Sequence, residues 1–305
     1  MKKYVFILLF GLFLAMCGLA RSTSETSSSQ ALTLPVWPGT APGAQSNPEA
    51  ETTTSSSRDK YVAGEPVTLL SNVSEPTITL YFSRVKNSGA AVVVFPGGGY
   101  KVLAIDLEGT EVCTWLTSAG VNCILLRYRV PGSGPYPESE AALQDAQRAM
   151  RLVRYHAAAW GIDPRRIGVL GFSAGGHLSA ALSIHFDQQT YTGVDAADKL
   201  SCRPDFSILV YPAFLVLPEQ HFMLRPDLRP SAHTPPTFIV QAENDPDHVE
   251  NAIAYFLALK NAGVAAELRI CAQGGHGFGL RRTGLPITRW PDAAKTWLHT
   301  IGVLR

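Results

Sequence analysis

Residues 166–177, RIGVLGFSAGGH, decide the fold of this chain. A short apolar run leads into Gly171, Ser173 and Gly175, and a helix-like run follows. G-x-S-x-G between a buried strand and a helix is typical of a nucleophile elbow, a tight turn that projects its serine above a sheet. Glycine is needed on both sides because side chains there would collide with the neighbouring strand and helix. The pattern predicts Ser173 as a nucleophile; a glycine-rich turn without chemistry is the alternative.

Strand-like and helix-like runs alternate on both sides of this motif. Apolar residues at helical spacing predict helices over 140–160, 248–263 and 292–302. Short apolar runs predict strands over 77–83, 90–96, 122–130, 166–173, 206–212, 237–245 and 266–272. This alternation predicts an α/β fold with a mostly parallel central sheet and helices on both faces.

His276 is the candidate for the base that such a serine requires. A serine hydroxyl is a weak nucleophile until a base takes its proton. In this topology the order along the chain is serine, acid, histidine, and the histidine follows the last strand. The loop QGGHGFG (273–279) comes directly after the strand predicted over 266–272. Its glycines allow the loop to carry the imidazole ring over the sheet.

Asp245 is the candidate for the acid, because it lies at the end of the preceding strand in QAENDPDHVENA (241–252). Its role would be to accept the imidazole N–H, fix the tautomer and stabilise the imidazolium. Glu243 and Asp247 are the alternatives. We expect Glu243 to belong to the strand and Asp247 to begin the next helix.

Two backbone amides are predicted to form an oxyanion hole. One belongs to Ala174, directly after the nucleophile, and the other to the glycine-rich loop in VVVFPGGGY (92–100). Gly98 and Gly99 are the expected donors, and Gly97 is the alternative. No phosphate-binding or dinucleotide-binding glycine motif is present in the sequence, so we expect no nucleotide cofactor.

Other polar residues are assigned to packing or to the pocket wall. We expect His177, which follows the serine on the emerging helix, to be a core histidine. Tyr100, Glu108 and Tyr211 lie near predicted strand ends, where ligands bind in open α/β sheets, so they either contact substrate or pack. No cluster of His, Cys, Asp and Glu has metal-ligand spacing, and we expect no metal.

The N-terminus is typical of an export signal. Lys2 and Lys3 precede a short apolar run and small residues, so we predict a signal peptide over 1–20. Lipid attachment at Cys17 is the alternative. The chain is then secreted or periplasmic, without stable membrane insertion after cleavage. The formal net charge of +1 gives no reason to expect a nucleic-acid partner.

Residues 21–60 are rich in small and polar residues and lack periodicity, which predicts a low-complexity linker or an N-terminal arm. Trp37 in this segment is a candidate for packing against the body. The catalytic domain is predicted over 61–305. The cysteines beyond the signal peptide are expected to be buried free thiols, with one bridge between the first two as the alternative: Cys113, Cys123, Cys202 and Cys271.

Several motifs, in order, resemble one known family. They are FPGGGY followed by AIDLEG, then YRVP, GIDPRRIGVLGFSAGGHLSA, PPTFIVQAEND and GGHGFGLR. Together they resemble the exported α/β-hydrolase carbohydrate esterases of the acetyl xylan and feruloyl esterase-like group, members of which are often labelled xylanases by association. The resemblance covers roughly residues 34–300 and implies the α/β-hydrolase fold.

The resemblance implies a nucleophile at Ser173, an acid at Asp245, a base at His276 and oxyanion donors at Gly98 and Gly99. The chain departs from this pattern in two places. The oxyanion motif begins Phe-Pro rather than the His-Gly of hormone-sensitive-lipase-like relatives. The stretch 215–234, part of a lid in some relatives, is short.

The combined pattern predicts a secreted serine esterase that needs no cofactor. Its expected partner is an acylated polysaccharide or oligosaccharide, from which it removes small acyl groups, acetyl above all. One alternative is a lipase-like or peptidase-like serine hydrolase with another acyl specificity. The other is a binding protein on a hydrolase scaffold without catalysis. The sequence does not indicate an oligomeric state.

Overall fold

The computed structural model describes residue 1, residues 31–44, residue 46 and residues 48–304. Apart from its first residue, the signal peptide predicted over 1–20 lies outside the described residues, and so does its Cys17. Within the described ranges, no helix is both long enough and apolar enough to span a bilayer.

Strands and helices alternate along most of the chain. The strands are β1 (Leu32–Pro35), β2 (Thr52–Ser55), β3 (Thr68–Ser71), β4 (Thr77–Tyr81), β5 (Ala91–Phe95), β6 (Val102–Ala104), β7 (Asn122–Arg127), β8 (Ile167–Phe172), β9 (Ser207–Val210), β10 (Val216–Leu217), β11 (Met223–Leu224), β12 (Thr237–Ala242) and β13 (Ala266–Cys271). The helices are α1 (Glu111–Ser118), α2 (Ala141–His156), α3 (Ala174–Ile184), α4 (Glu250–Asn261) and α5 (Trp290–Thr300).

Eight of these strands form a central sheet in the order β1-β4-β7-β5-β8-β9-β12-β13. Every neighbouring pair from β7 to β13 is parallel, whereas β1 with β4 and β4 with β7 are antiparallel. The prediction of a mostly parallel central sheet is confirmed. Because parallel strands end at the same edge, the loops after β5, β8, β9, β12 and β13 all leave the sheet on one side.

Apolar residues bury both faces of this sheet. In β5, Val93 and Phe95 belong to one core and Val92 and Val94 to the other, and all four are fully buried. The first core takes in residues of α2, α3 and α4, and the second takes in residues of α1 and α5. Helices therefore cover both faces, as predicted, and inner strands such as β5 and β8 are continuous apolar runs because neither of their faces meets water.

Part of the segment predicted as a linker or arm over 21–60 joins the central sheet as β1. The compact unit begins at Ala31, and β1 pairs with β4. Trp37 is only 4% exposed, and its Nε1 donates to Asp145 Oδ1 at 2.8 Å. The body thus extends upstream of the domain start expected at residue 61. A four-residue strand is too short for its periodicity to be recognised from sequence.

One disulfide joins two of the cysteines. Cys113 in α1 and Cys123 in β7 are bonded, with their Cα atoms 5.1 Å apart. The expectation of free thiols was wrong for this pair, because a tight turn after α1 places the next strand directly against the helix. The expectation agrees with Cys202, which is free and buried, whereas Cys271 is free but only half-buried.

Candidate active site

Ser173 occupies a strained turn between β8 and α3. Its backbone has φ +51° and ψ −118°, a conformation that side-chain-bearing residues rarely adopt. A Cβ on Gly171 would lie 1.9 Å from the carbonyl oxygen of Gly175. A Cβ on Gly175 would lie 2.0 Å from the carbonyl oxygen of Phe95. The two glycines therefore allow the strand and helix to approach closely enough to project the serine.

Three of the predicted residues meet at this turn. His276 Nε2 lies 2.8 Å from Ser173 Oγ, and His276 Nδ1 lies 2.9 Å from Asp245 Oδ2 and 3.0 Å from Oδ1. A carboxylate only accepts hydrogen bonds, so Nδ1 carries the proton. The lone pair of Nε2 is then free to accept the serine proton, which is the arrangement that general-base activation requires.

Asp245 is held in place by neighbours that the sequence analysis did not identify. Its carboxylate is buried and also accepts from Gln241 Nε2 at 2.9 Å and from the amide of Asp247 at 2.8 Å. The adjacent Asn244 accepts from two amides of the histidine loop, at 2.9 and 3.0 Å. Polar residues ending an apolar strand are the sequence signal that could have indicated this support.

The two alternative acids, Glu243 and Asp247, do not contact Nδ1 of the His276 ring. Glu243 is exposed, and its amide continues the pairing with β13 by donating to the carbonyl of Cys271 at 2.7 Å. Asp247 is half exposed, and its Oδ2 lies 3.3 Å from His276 Nε2, on the serine side of the ring. Asp245 is therefore the acid that accepts the hydrogen bond from His276 Nδ1.

The surroundings of His276 favour its protonated form. Burial by itself would lower the pKa of His276, but the hydrogen bond and charge of Asp245 outweigh it. The charges of Asp247 and Glu108 act in the same direction, so the pKa lies above its ordinary value of 6.5. An imidazolium formed when the serine gives up its proton is thus stabilised here.

The glycine-rich loop after β5 passes beside the nucleophile. A Cβ on Gly97 would lie 2.9 Å from Ser173 Cβ and 2.7 Å from Glu108 Oε2. The Gly97 amide donates to that same carboxylate oxygen at 2.6 Å. Gly97 is therefore wedged between the serine and Glu108, and its amide is already engaged within the protein.

The amides of Gly98, Gly99 and Ala174 have no acceptor among the residues that the structure describes. Gly98 has φ +132°, and a Cβ there would lie 2.1 Å from the carbonyl oxygen of Val102. Ala174 is the first residue of α3, where amides are left unpaired by the helix. These amides are thus available to a ligand, which is what an oxyanion hole needs.

Tyr100, Glu108 and Tyr211 lie behind the site rather than in an open pocket. All three are buried. The Tyr100 hydroxyl pairs with His177 Nδ1 at 2.8 Å, and the Tyr211 hydroxyl donates to Glu108 Oε1 at 2.8 Å. Burial lowers the pKa of His177 to about 3, so it is a neutral core histidine. Of the two expectations for these residues, the structure favours packing over substrate contact.

Phe214 lies in the loop after β9, directly after a residue whose backbone contacts Ser173, and nothing in the sequence distinguishes it. The amide of the preceding Ala213 donates to the carbonyl of Ser173 at 3.2 Å. Phe214 is 39% exposed and has φ +58°. Asn251 Oδ1 holds the next residue, Leu215, by accepting its amide proton at 2.7 Å. An exposed aromatic ring in a clamped, strained segment is a candidate pocket wall.

Three potential metal ligands of the site lie close together. Ligand atoms of Asp245, Asp247 and His276 fall within 4.8 Å of one another. Both ring nitrogens of His276, however, are engaged in the contacts to Asp245 and Ser173. The cluster therefore belongs to the serine arrangement already described.

Comparison with known proteins finds similarity to an α/β-hydrolase family and to named polysaccharide-degrading enzymes. Residues 92–224 match the family described as alpha/beta hydrolase fold. An acetylxylan esterase from Xylanibacter ruminicola is 32% identical over 63% of this chain and 42% of its own length. Endo-1,4-beta-xylanase B from Butyrivibrio fibrisolvens is 28% identical over 67% of this chain and 34% of its own length. The chain thus spans less than half the length of these two relatives.

A solved structure matches over most of its length. The acetyl ester-xyloside bifunctional hydrolase from Caldicellulosiruptor lactoaceticus is 36% identical to this chain, with a TM-score of 0.68. The match covers 77% of this chain and 91% of that one. The similarity therefore extends over most of both chains and supports the α/β-hydrolase fold.

Proposed function

This chain belongs to the α/β-hydrolase family, and from that premise we propose that it is a carboxylic-ester hydrolase, which removes acetyl and other small acyl groups from polysaccharides or oligosaccharides. The observation that carries the proposal is the contact of His276 with both Ser173 and Asp245. The names of the similar acetylxylan esterase and acetyl ester-xyloside hydrolase support the acetylated carbohydrate.

The proposed reaction runs through an acyl-enzyme. Ser173 Oγ attacks the ester carbonyl while His276 Nε2 takes its proton. The tetrahedral intermediate collapses when the imidazolium returns that proton to the leaving sugar hydroxyl, so the acyl group remains on the serine. A water molecule, deprotonated by the same nitrogen, then attacks the acyl-serine. The imidazolium returns that proton to Ser173 Oγ as the bond to the acyl group breaks and the carboxylic acid leaves.

The amides of Ala174 and of Gly98 or Gly99 donate hydrogen bonds to the negative charge that develops on the carbonyl oxygen. Such donors act mainly in the transition state, and losing one typically costs about 3–4 kcal/mol of stabilisation. Asp245 keeps the histidine proton on Nδ1 throughout, which leaves Nε2 facing the serine. The chain's own groups thus perform each proton transfer.

The proposed preference for small acyl groups draws support from Phe214. Its side chain is exposed, and the bond from the Ala213 amide to the Ser173 carbonyl holds the backbone directly before it against the nucleophile turn. A ring in a strained backbone conformation has little freedom to move aside. A long acyl chain would meet this ring, whereas an acetyl group would not.

We also propose that the protein acts outside the cytoplasm, in the periplasm or as a secreted enzyme. The charged, apolar and small-residue pattern of the first twenty residues supports export. The bond between Cys113 and Cys123 adds support, since disulfides persist mainly in oxidising compartments.

Release of acetate from acetylated xylan tests the proposal. The wild type is expected to release acetate and to turn over p-nitrophenyl acetate, while Ser173→Ala loses both activities. Ser183→Ala is the matched control, because it removes another buried serine further along α3. Acetate release by Ser173→Ala at the wild-type rate would overturn the proposal. Turnover of long-chain esters or peptide amides in preference to acetylated xylan would point to one of the alternative specificities.

A further inference from the structure

Glu108 is a buried carboxyl group that the proposed chemistry does not use. It lies in a π-helical turn, Asp106–Thr110, which leads into α1. The residue is only 4% exposed. Isolated π-helical turns are rare and occur frequently at functional sites. A buried acid is costly unless its oxygens are well paired, so its partners indicate why it is there.

Both oxygens of Glu108 have a donor. Oε2 accepts from the Gly97 amide at 2.6 Å, and Oε1 accepts from the Tyr211 hydroxyl at 2.8 Å. The Tyr211 oxygen in turn accepts from the Gly279 amide at 3.1 Å. We call the chain of contacts Gly97–Glu108–Tyr211–Gly279 the Glu108 bridge.

The bridge joins the two loops that flank the nucleophile. Gly97 immediately precedes the glycines with free amides, and Gly279 closely follows His276 in the histidine loop. The Tyr211 ring also packs against the His276 ring, with centroids 5.0 Å apart. A substitution at Glu108 would therefore affect the positions of both the proposed oxyanion donors and the proposed base.

We propose that Glu108 is a positioning residue, which holds the oxyanion loop and the histidine loop at a fixed distance on either side of Ser173. The inference rests on the esterase function proposed above and adds a residue to its machinery. Glu108 need not touch substrate. It acts by keeping the Gly98 and Gly99 amides and the His276 ring where the transition state needs them.

The ionised form of Glu108 fits the bridge. An amide N–H can only donate, and the Tyr211 hydroxyl donates to Glu108 while its oxygen accepts from Gly279. Burial outweighs the hydrogen bonds from Tyr211 and Gly97, so the pKa of Glu108 lies above its ordinary value. Two charge-assisted hydrogen bonds on one buried carboxylate make a stiff connection.

Glu108→Gln tests the inference with little change in size. A glutamine oxygen still accepts from Gly97, but its NH₂ group faces the Tyr211 hydroxyl, and the second contact loses its acceptor. We expect kcat on p-nitrophenyl acetate to fall about 10- to 100-fold with KM within about twofold of wild type, because oxyanion donors act in the transition state. If Glu108 only stabilised the fold, its replacement would lower the unfolding midpoint. It would not lower kcat while leaving both KM and the unfolding midpoint unchanged.

Glu111→Gln is the matched control. Glu111 lies directly after the same turn, and its carboxylate pairs with Arg281 at 2.7 Å. This variant also breaks an ion pair to the segment that follows the histidine loop, but it leaves the Glu108 bridge intact. We expect its kcat to equal that of wild type. An equal fall in kcat for both variants would overturn the inference, since loosening of the segment would then explain it.

Tyr211→Phe provides a second route if Glu108→Gln does not fold. It keeps the ring and removes only the hydroxyl that joins Glu108 to Gly279, so kcat should fall several-fold at unchanged KM. Wild-type kcat in the folded variant would overturn the inference.

Ser173→Ala distinguishes failure of the proposed function from failure of the positioning role. If it retains activity, the proposed function fails; if it is inactive while the bridge variants retain wild-type kcat, only the positioning role fails.

Discussion

His276 Nε2 lies 2.8 Å from Ser173 Oγ, although 103 residues separate them in the chain. The strand order explains the contact. Ser173 follows β8, and His276 follows β13, three places along the same parallel run of the sheet. Because parallel strands end at one edge, the two loops leave the sheet on the same side and the histidine loop needs only to fold back over it.

Asp245→Asn should lower kcat strongly while the protein remains folded. An asparagine can donate its NH₂ to His276 Nδ1, and this favours the tautomer whose proton is on Nε2. That nitrogen could then no longer accept the serine proton. We expect kcat on p-nitrophenyl acetate to fall by a factor on the order of 10³ to 10⁴.

Asp247→Asn is the control for this substitution. The Asp247 carboxylate is half exposed and lies near Nε2 rather than Nδ1. We expect its kcat to stay within a few-fold of wild type, since exposed charges contribute little. A larger loss for Asp247→Asn than for Asp245→Asn would assign the acid to Asp247 instead.

The acidic limb of the pH profile should have its midpoint above 6.5. His276 must be neutral to take the serine proton, and Asp245, Asp247 and Glu108 together raise its pKa above that ordinary value. The value of kcat/KM should therefore fall as the pH drops through this raised pKa. In Asp247→Asn the midpoint should move to lower pH, because one negative charge near the ring is gone. A midpoint below 6.5 in the wild type would contradict the expectation.

Local patterns were enough to predict the framework. The run predicted as a strand over 266–272 is β13 (Ala266–Cys271), and the run over 140–160 contains α2 (Ala141–His156). The nucleophile elbow was recognisable because its glycines lie close in sequence, where steric demands are local. The order of serine, acid and histidine then located the other two loops, since the topology of this fold constrains where they emerge.

Contacts between distant residues were not predictable in this way. Glu108 and Tyr211 were identified as residues near strand ends, but their hydrogen bond spans 103 residues and depends on the π-helical turn. The pairing of β1 with β4 likewise joins a four-residue segment to a strand much further along the chain. Single-sequence periodicity carries no signal for such pairings, which tertiary packing decides.

Gly175→Ala should destabilise the protein. The added methyl group would lie 2.0 Å from the carbonyl oxygen of Phe95, so the strand and helix would have to separate. We expect a loss of about 2–3 kcal/mol in the free energy of unfolding, measured by urea denaturation. Gly39→Ala is the control, because no atom lies within 4 Å of its Cβ position, and it should change stability by less than about 0.5 kcal/mol. Equal stability of the two variants would contradict the described turn.

Breaking the disulfide should lower stability further than removing a free thiol. The bond between Cys113 and Cys123 closes a short loop, and such a cross-link stabilises by about 2–3 kcal/mol, chiefly through the unfolded chain. The double variant Cys113→Ala/Cys123→Ala should therefore unfold at lower urea concentration than Cys202→Ala, which loses only a buried thiol. Alkylation of Cys113 and Cys123 in unreduced, denatured protein would show that the bond is absent.

Phe214→Ala should widen the range of acyl groups that the enzyme accepts. Phe214 has a strained backbone conformation and directly follows Ala213, whose amide bonds to the Ser173 carbonyl, so we expect removal of its ring to open space for a longer acyl chain. We expect the ratio of kcat/KM for p-nitrophenyl hexanoate to that for p-nitrophenyl acetate to rise about 10-fold, because a few methylene groups gain apolar contact.

Phe222→Ala is the matched control for this substitution. Phe222 also has a positive φ and belongs to the same segment, but its ring packs against His248. The control should keep the wild-type ratio. An unchanged ratio in Phe214→Ala, or an equal rise in Phe222→Ala, would show that Phe214 does not set the size of the acyl group.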